Sequence, residues 1–441
     1  MTPPVDRGHL LRLLGVSFGV AIGVGEMIGS GILRSPSAIA GTLHDSGVII
    51  ALWSLGALHA LLGANILAEM GAALPLEGGQ PVYARRAFGD MGGLIVGWTI
   101  YASHLAGIAA ASVVFADFLA GLWPPAAAHT TAVALAVQCL LYGLNAIGLR
   151  EGRFVQGVTS LMKTLLLAAF VGTALWLGTH ESVHSISPIP LAPAGFLAYV
   201  GAYQLILGAY AGWTAPIVFA EENVAPARSL PRALFLGILI TGGLYILING
   251  ALLFALGTAG TAASKLPFVT VLDRVAGSWA SLVFVIGAMV TVTSCANANI
   301  MVAPRILFAL SRDRLLPVAF QAVNDGGSPY MGFVLTALVS LALAATGGFR
   351  LVFGLIGTLN SGSGLITDLA WFALRKREPD LSRPFRAILA PWLPALLVLV
   401  DGSLLVLFAA TDRLGAIVAA ALCLLCVPLA LVARHARLRA A

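Results

Sequence analysis

The chain has 441 residues, of which 59% are hydrophobic and only 10% charged, with a formal net charge of +6 and a mean hydropathy of +0.95. A water-soluble domain carries about 25% charged residues, so this chain cannot cover a globular surface with polar groups and reads as an integral membrane protein. A spanning helix takes about 20 apolar residues, so roughly twelve spans on short loops use up the chain. That excludes a catalytic ectodomain, a nucleotide-binding cassette and a DNA-binding module.

Apolar runs between charged or Pro/Gly-rich breaks place the spans near Val24, Gly56, His104, Val137, Leu166, Leu207, Leu244, Val290, Leu338, Asn360, Val398 and Leu422. The first run follows Arg7 and Arg12 as a signal peptide would. It continues past the length of such a segment and is kept as the first span. Most of the 25 Lys and Arg fall in alternate loops. Only Lys265, Arg274, Arg350 and Arg413 lie in the opposite set, and Arg34 and Lys163 lie inside spans. The positive-inside rule then expects both termini in the cytoplasm and an even number of spans in the cell inner membrane. The basic charge is thus topological and implies no nucleic-acid partner. Cys139, Cys295, Cys423 and Cys426 all sit in apolar runs, so no disulfide framework is expected.

The first span carries Gly29-Ser30-Gly31 near its middle. Each Gly costs about 1 kcal/mol in a helix, and unwinding at membrane depth is tolerated where freed backbone groups line a cavity or bind a ligand. The amides of Ser30, Gly31 and Ile32 would then open a half-helix whose positive end favours a carboxylate. The alternative is a small-residue packing face. The sixth span repeats the pattern in Gly208-Ala209-Tyr210-Ala211-Gly212-Trp213-Thr214-Ala215-Pro216, followed by Glu221-Glu222-Asn223. Two interrupted spans five helices apart point to an inverted-repeat secondary transporter with its site at the midplane.

Gly29-Ser30-Gly31-Ile32, Ala68-Glu69-Met70-Gly71, Gly78-Gly79 and Tyr83-Ala84-Arg85-Arg86-Ala87-Phe88-Gly89 resemble stretches of the amino acid–polyamine–organocation permeases. So do Tyr210-Ala211-Gly212-Trp213 with Glu221-Glu222-Asn223, Leu230-Pro231-Arg232-Ala233, and Ala309-Leu310-Ser311-Arg312-Asp313. The resemblance implies an all-α polytopic membrane protein of the leucine-transporter-like fold, a five-plus-five inverted repeat with two peripheral helices. Its expected divisions are a ten-helix core over residues 1–376, with repeats over about 12–180 and 193–376, and peripheral helices eleven and twelve over 377–441. It also implies transport of amino acids or related amines by alternating access. The substrate carboxylate would lie on amides around Ser30, Gly31 and Ile32, and its ammonium on carbonyls near Met27, Gly208 and Ala211. Similar permeases often hold Phe or Trp where this chain has Gly208. A wider pocket, or an aromatic supplied by Tyr210, Trp213 or another helix, would follow.

Lys163 lies ten residues beyond Arg153, about 15 Å along a helix, and an intramembrane ammonium is functional by default. Gln156, Thr159 and Lys163 share one face, similar to the fifth span of sodium-independent family members, in which the Lys amine stands in for sodium. A static sodium substitute, direct coupling by deprotonation and a permanent structural pair are all open for it. Glu26, three residues before the break, is its partner, a proton site, a contact for a cationic substrate, or a structural group at the cytoplasmic side. Glu69 and Asp368 are expected in gating or loop contacts, His59 and His104 in helix contacts, and Asp401 has no assigned role.

The expected function is sodium-independent transport of neutral L-amino acids, by proton symport or exchange; a cationic amino acid, polyamine or amine carrier is the alternative. A non-transporting sensor and a polytopic membrane enzyme are remote alternatives, and no catalytic cluster is visible. No cofactor or metal is implied. The expected partners are an amino acid, protons in the symport case, membrane lipid and a second copy of the chain in a homo-oligomer.

Overall fold

The computed structural model describes residues 15–76, 78–146, 153–180, 195–220, 223–322, 329–346 and 348–432. These form sixteen α-helices in chain order and no β-strand. α1 (Val16–Met27) and α2 (Ser30–Ala40) are halves of one interrupted span, bent by 43°. Next come α3 (Ser46–Ala73), the short α4 (Gln80–Phe88), α5 (Asp90–Leu122), α6 (Thr130–Ala146) and α7 (Arg153–His180). A second interrupted span, α8 (Phe196–Tyr210) and α9 (Ala215–Val218), opens the other half. It is followed by α10 (Pro226–Ala263), α11 (Pro267–Ala276), α12 (Ser278–Arg312), α13 (Tyr330–Ala345) and α14 (Phe349–Arg377). α15 (Trp392–Thr411) and α16 (Arg413–Leu424) complete the bundle.

Among the described residues, nine helices are long and apolar enough to cross a membrane, and α1 with α2 makes a tenth. The expected twelve include α8 and α13, which at 15 and 16 residues fall short of that length. α8 is short because its span unwinds before it is complete. The protein is a multi-pass, all-helical membrane protein. Both basic termini lie outside the described residues.

Local chemistry sets the element boundaries. Asp45 accepts from the Val48 amide at 2.9 Å and so caps α3, and Asp412 does the same for α16 through Gly415 at 2.8 Å. Gly89, at φ 79°, takes the left-handed conformation that lets α4 turn directly into α5. α5 is the central post, packed along α12 and α14, while α10 runs along α3, and α1 lies on α10 and α7. Behind the interrupted helices, Trp53, Tyr210 and Tyr245 form an aromatic wedge, with ring centroids 5.2 to 6.0 Å apart.

One end of the bundle is pinned by charge. Glu69, 2% exposed, accepts from Arg375 at 3.0 and 2.7 Å and from the Ala387 amide at 2.7 Å, and Arg383 adds an ion pair at 3.2 Å. A buried carboxylate so enclosed ties α3 to the end of α14 and the following loop, and removing one partner would leave an uncompensated charge. Beside it, Arg86 on α4 grips Glu378 through two 2.8 Å hydrogen bonds. That grip holds the Glu378 carboxyl below the usual carboxylate range.

Candidate functional site

The backbone leaves helical geometry at Ile28 (ψ 97°) and Gly29 (φ −154°, ψ −146°), and α2 then starts at Ser30 with no side chain capping it. Its first amides, those of Ser30, Gly31 and Ile32, have no partner within the helix. The residues here are small because neighbours press in. A Cβ on Gly31 would sit 2.7 Å from the Ala209 Cα, and one on Gly29 would sit 2.9 Å from the Cys295 Sγ.

The second break mirrors the first. α8 ends at Tyr210, Ala211 is extended (φ −56°, ψ 144°), and Gly212 takes φ +105° before the Pro216-containing turn of α9. Side chains rarely adopt that φ, and a Cβ on Gly212 would also lie 2.7 Å from the Glu26 Cβ. The two breaks therefore face each other. On α10, the Tyr245 hydroxyl bridges them, 2.6 Å from the Met27 carbonyl and 3.2 Å from that of Ala209.

Between the breaks lies a cavity of about 520 Å³. Its roof is Phe353 of α14, whose ring lies 3.0 Å from where a Gly208 Cβ would be and 2.7 Å from that of Gly31. Phe349 stacks on Phe353 at 5.0 Å. Above them Arg34 lies over the Phe349 ring at 5.5 Å and pairs with Asp117 at 3.0 Å. One side wall is polar: His104 Nδ1 meets Asn299 Oδ1 at 2.6 Å, and Ser103 donates to Asn360 at 3.3 Å. In the opposite direction the cavity runs past Gln80 to the partly exposed Arg85–Asp313 ion pair at 2.9 Å.

Of the residues expected at the site, Glu26, Met27, Gly29, Ser30, Gly31, Gly208, Ala211 and Gly212 all line this cavity. Ile32 is fully buried in the core instead. Trp213 does not line the cavity: its ring lies 2.8 Å from where a Gly63 Cβ would be, because the left-handed Gly212 turns the chain toward α3. Nor does Tyr210 supply the missing aromatic; its hydroxyl donates to the Trp53 carbonyl at 3.0 Å. Lys163 is 1% exposed, and its field reaches both Glu26 on α1 and Cys295 on α12. Glu221 and Glu222 lie outside the described residues.

Phe353, Asn299, Asn360 and Ser103 were not legible as site residues. The polar ones had one signal, an amide or hydroxyl inside an otherwise apolar run, whereas Phe353 had none. Asp368 is a correction of another kind. Expected in gating or loop contacts, it is 3% exposed and meets Asp401 through their side chains.

A family profile described as "Amino acid permease" matches residues 11–429. The chain belongs to the amino acid permease family. Among its relatives, a serine/threonine exchanger of Bacillus subtilis is 26% identical over 415 residues, covering 89% of this chain and 90% of that protein. A branched-chain amino acid permease of Bacillus subtilis is 25% identical, covering 88% and 86%. The large neutral amino acids transporter small subunit 2 of Oryctolagus cuniculus is 25% identical, covering 86% and 72%. The family match spans both breaks of the permease.

Proposed function

We propose that the permease carries neutral L-amino acids across the cell membrane by alternating access, independently of sodium, with both termini in the cytoplasm. The observation that carries this is the pair of facing breaks around one cavity. At one wall the uncapped amides of Ser30, Gly31 and Ile32 form an anion-binding turn. At the other, carbonyls at the ends of α1 and α8 offer acceptors to an ammonium group. An amino acid laid across the gap satisfies both.

The class of side chain follows from charge. Glu26 is the cavity's acidic group nearest the breaks, and the buried Lys163 lies near it, so it is not an isolated carboxyl awaiting a cationic substrate. Phe353 and Ile356 give the roof an apolar surface. The relatives named for serine/threonine, branched-chain and large neutral amino acids agree with a neutral substrate. Lys163, at the junction of α1, α7 and α12, supplies the fixed positive charge for which a sodium-dependent carrier needs an ion. With both termini in the cytoplasm, the Arg34–Asp117 pair and the stacked phenylalanines lie on the outer side, which supports reading this as an inward-facing state, and residues 1–376 form the core that rearranges.

The test is radiolabelled uptake in proteoliposomes. Saturable flux of a neutral amino acid without sodium is expected. Absence of flux for every neutral amino acid refutes the substrate class, and a strict sodium requirement refutes the role of Lys163.

A further inference from the structure

A second cavity of about 80 Å³ lies behind the α8–α9 break, and it is lined by ionisable residues that the substrate site does not use. Asp368 of α14 and Asp401 of α15 line it with His59 of α3, and the two carboxyls contact each other through their oxygens. Both are buried, at 3% and 2% exposure. Asp368 Oδ2 and Asp401 Oδ1 have no hydrogen-bond partner, although His59 Nε2 lies 3.2 Å from the latter. Asp401 sits at the middle of its 20-residue helix, and Gly364 makes room for it: a Cβ there would lie 3.3 Å from Asp401 Oδ2. A water needs only about 10–15 Å³ of such space, so the cavity has room for the water that proton movement requires.

The other titratable groups facing the pair are Tyr203 and Tyr210 on α8, whose hydroxyls donate to backbone carbonyls of α3 at Leu55 (3.4 Å) and Trp53 (3.0 Å). Gln80 of α4 lines the cavity without a charge, and α5 and α16 give it no titratable side chain. Arg375, further along α14, is taken by Glu69. Among the described residues lining the cavity there is no Lys or Arg beside the two carboxyls, and His59 is the basic side chain next to them. Two bare carboxylates in contact repel, and they share a site only when one of them holds a proton.

The position of this pair connects it with transport. Gln80, Ala211, Gly212, Thr214 and Asn360 line both the small cavity and the substrate cavity. The unwound segment between α8 and α9 is thus a partition, with substrate space on one side and the carboxyl pair on the other.

We infer that Asp368 and Asp401 share one proton, exchanged through His59, and that this proton site couples proton movement to the transport cycle through the α8–α9 break. In the exchange the O–H bond of the shared proton breaks and an N–H bond forms on the free nitrogen of His59, with no other bond changed. The imidazolium then gives a proton to water in the small cavity, which borders the substrate cavity at Gln80 and Asn360. The helix outside the expected transport core, α15, becomes part of the coupling machinery. The inference rests on the transport reading above and is tested so that the two fail separately.

Infrared spectroscopy of the purified protein with ¹³C-carboxyl aspartate is read first. At neutral pH a protonated-carboxyl band should shift with labelled aspartate, be unmoved by labelled glutamate, and disappear in the Asp368→Asn/Asp401→Asn double variant. Absence of an aspartic acid band in the wild type overturns the inference, with or without a foldable variant. Uptake into proteoliposomes follows, with and without an inward proton gradient. Gradient-stimulated uptake in the wild type should be lost in Asp401→Asn and in His59→Gln. Flux in the wild type that ignores the gradient overturns the coupling while leaving amino acid transport standing. Absence of all flux refutes the transport reading, and the infrared band still decides where the proton is held.

Discussion

Replacing Gly31 with alanine sets two physical effects against each other. Gly31 lies within α2 in ordinary helical backbone, where alanine is preferred to glycine by about 1 kcal/mol. Considered locally, the substitution should stabilise the protein. In the folded bundle the new Cβ would meet the Ala209 Cα at 2.7 Å, the Phe353 Cζ at 2.7 Å and the Ala209 Cβ at 2.9 Å. Carbon atoms at rest lie about 3.5–4.0 Å apart, so α2 must retreat from α8 by about 1 Å, or Phe353 must swing away. The Ala209 backbone cannot yield as a side-chain tip does. Overpacking of this kind costs about 1–3 kcal/mol.

The displaced atoms are those that place the α2 amides opposite the α8 carbonyls, so the loss should fall on substrate affinity, at roughly 5- to 150-fold. Thermal stabilisation by a panel of neutral amino acids, measured on wild type, Gly31→Ala and Gly243→Ala, checks it. Gly243 has nothing within 4 Å of its would-be Cβ and controls for helix propensity. A Gly31→Ala protein with raised melting temperature and unchanged affinity would refute the carboxylate site.

The roof makes a second prediction: Gly208→Phe should destabilise by clashing with Phe353, and adding Phe353→Ala should restore folding, with a coupling energy of about 0.5–3 kcal/mol in a double-mutant cycle. Breaking the outer pair with Arg34→Ala should increase labelling of Cys295 by an impermeant maleimide added outside, in a protein where Cys295 is the sole cysteine; unchanged labelling would mean that Arg34–Asp117 is not part of the closure. Tyr245→Phe removes the hydroxyl that bridges the breaks and should cost about 1 kcal/mol in melting experiments. Because Arg86 depresses the Glu378 carboxyl, their pair contributes fully above the ordinary carboxylate range and fades as pH falls through the depressed value. Glu378→Gln should remove that acid-side slope, a few tenths of a kcal/mol for so exposed a pair.

The breaks were legible because they are local. Glycines around Ser30, and glycines before Pro216, cannot hold a helix unaided, and a bilayer leaves few reasons to keep them. Lys163 was legible because an ammonium in an apolar run has to be explained. What escaped is pairing across the bundle. Arg34 and Asp117 are 83 residues apart, and no periodicity joins them. Phe353 is an apolar residue in an apolar run, so its role as the roof over Gly208 exists only once α14 has packed. Trp213 was misplaced because adjacency to Gly212 suggested a shared direction, whereas a φ of +105° reverses it. Asp401 was visible as an anomaly and became interpretable only when His59 and Asp368 closed on it.

The Tyr245 hydroxyl has a single proton and two acceptors, 2.6 and 3.2 Å away on different broken helices. At any moment its proton is directed at one carbonyl or the other. Neither helix can be drawn away without the same phenol losing a partner, so the interruptions behave as two arms of one latch. A guest ammonium that takes either carbonyl would compete with the latch itself.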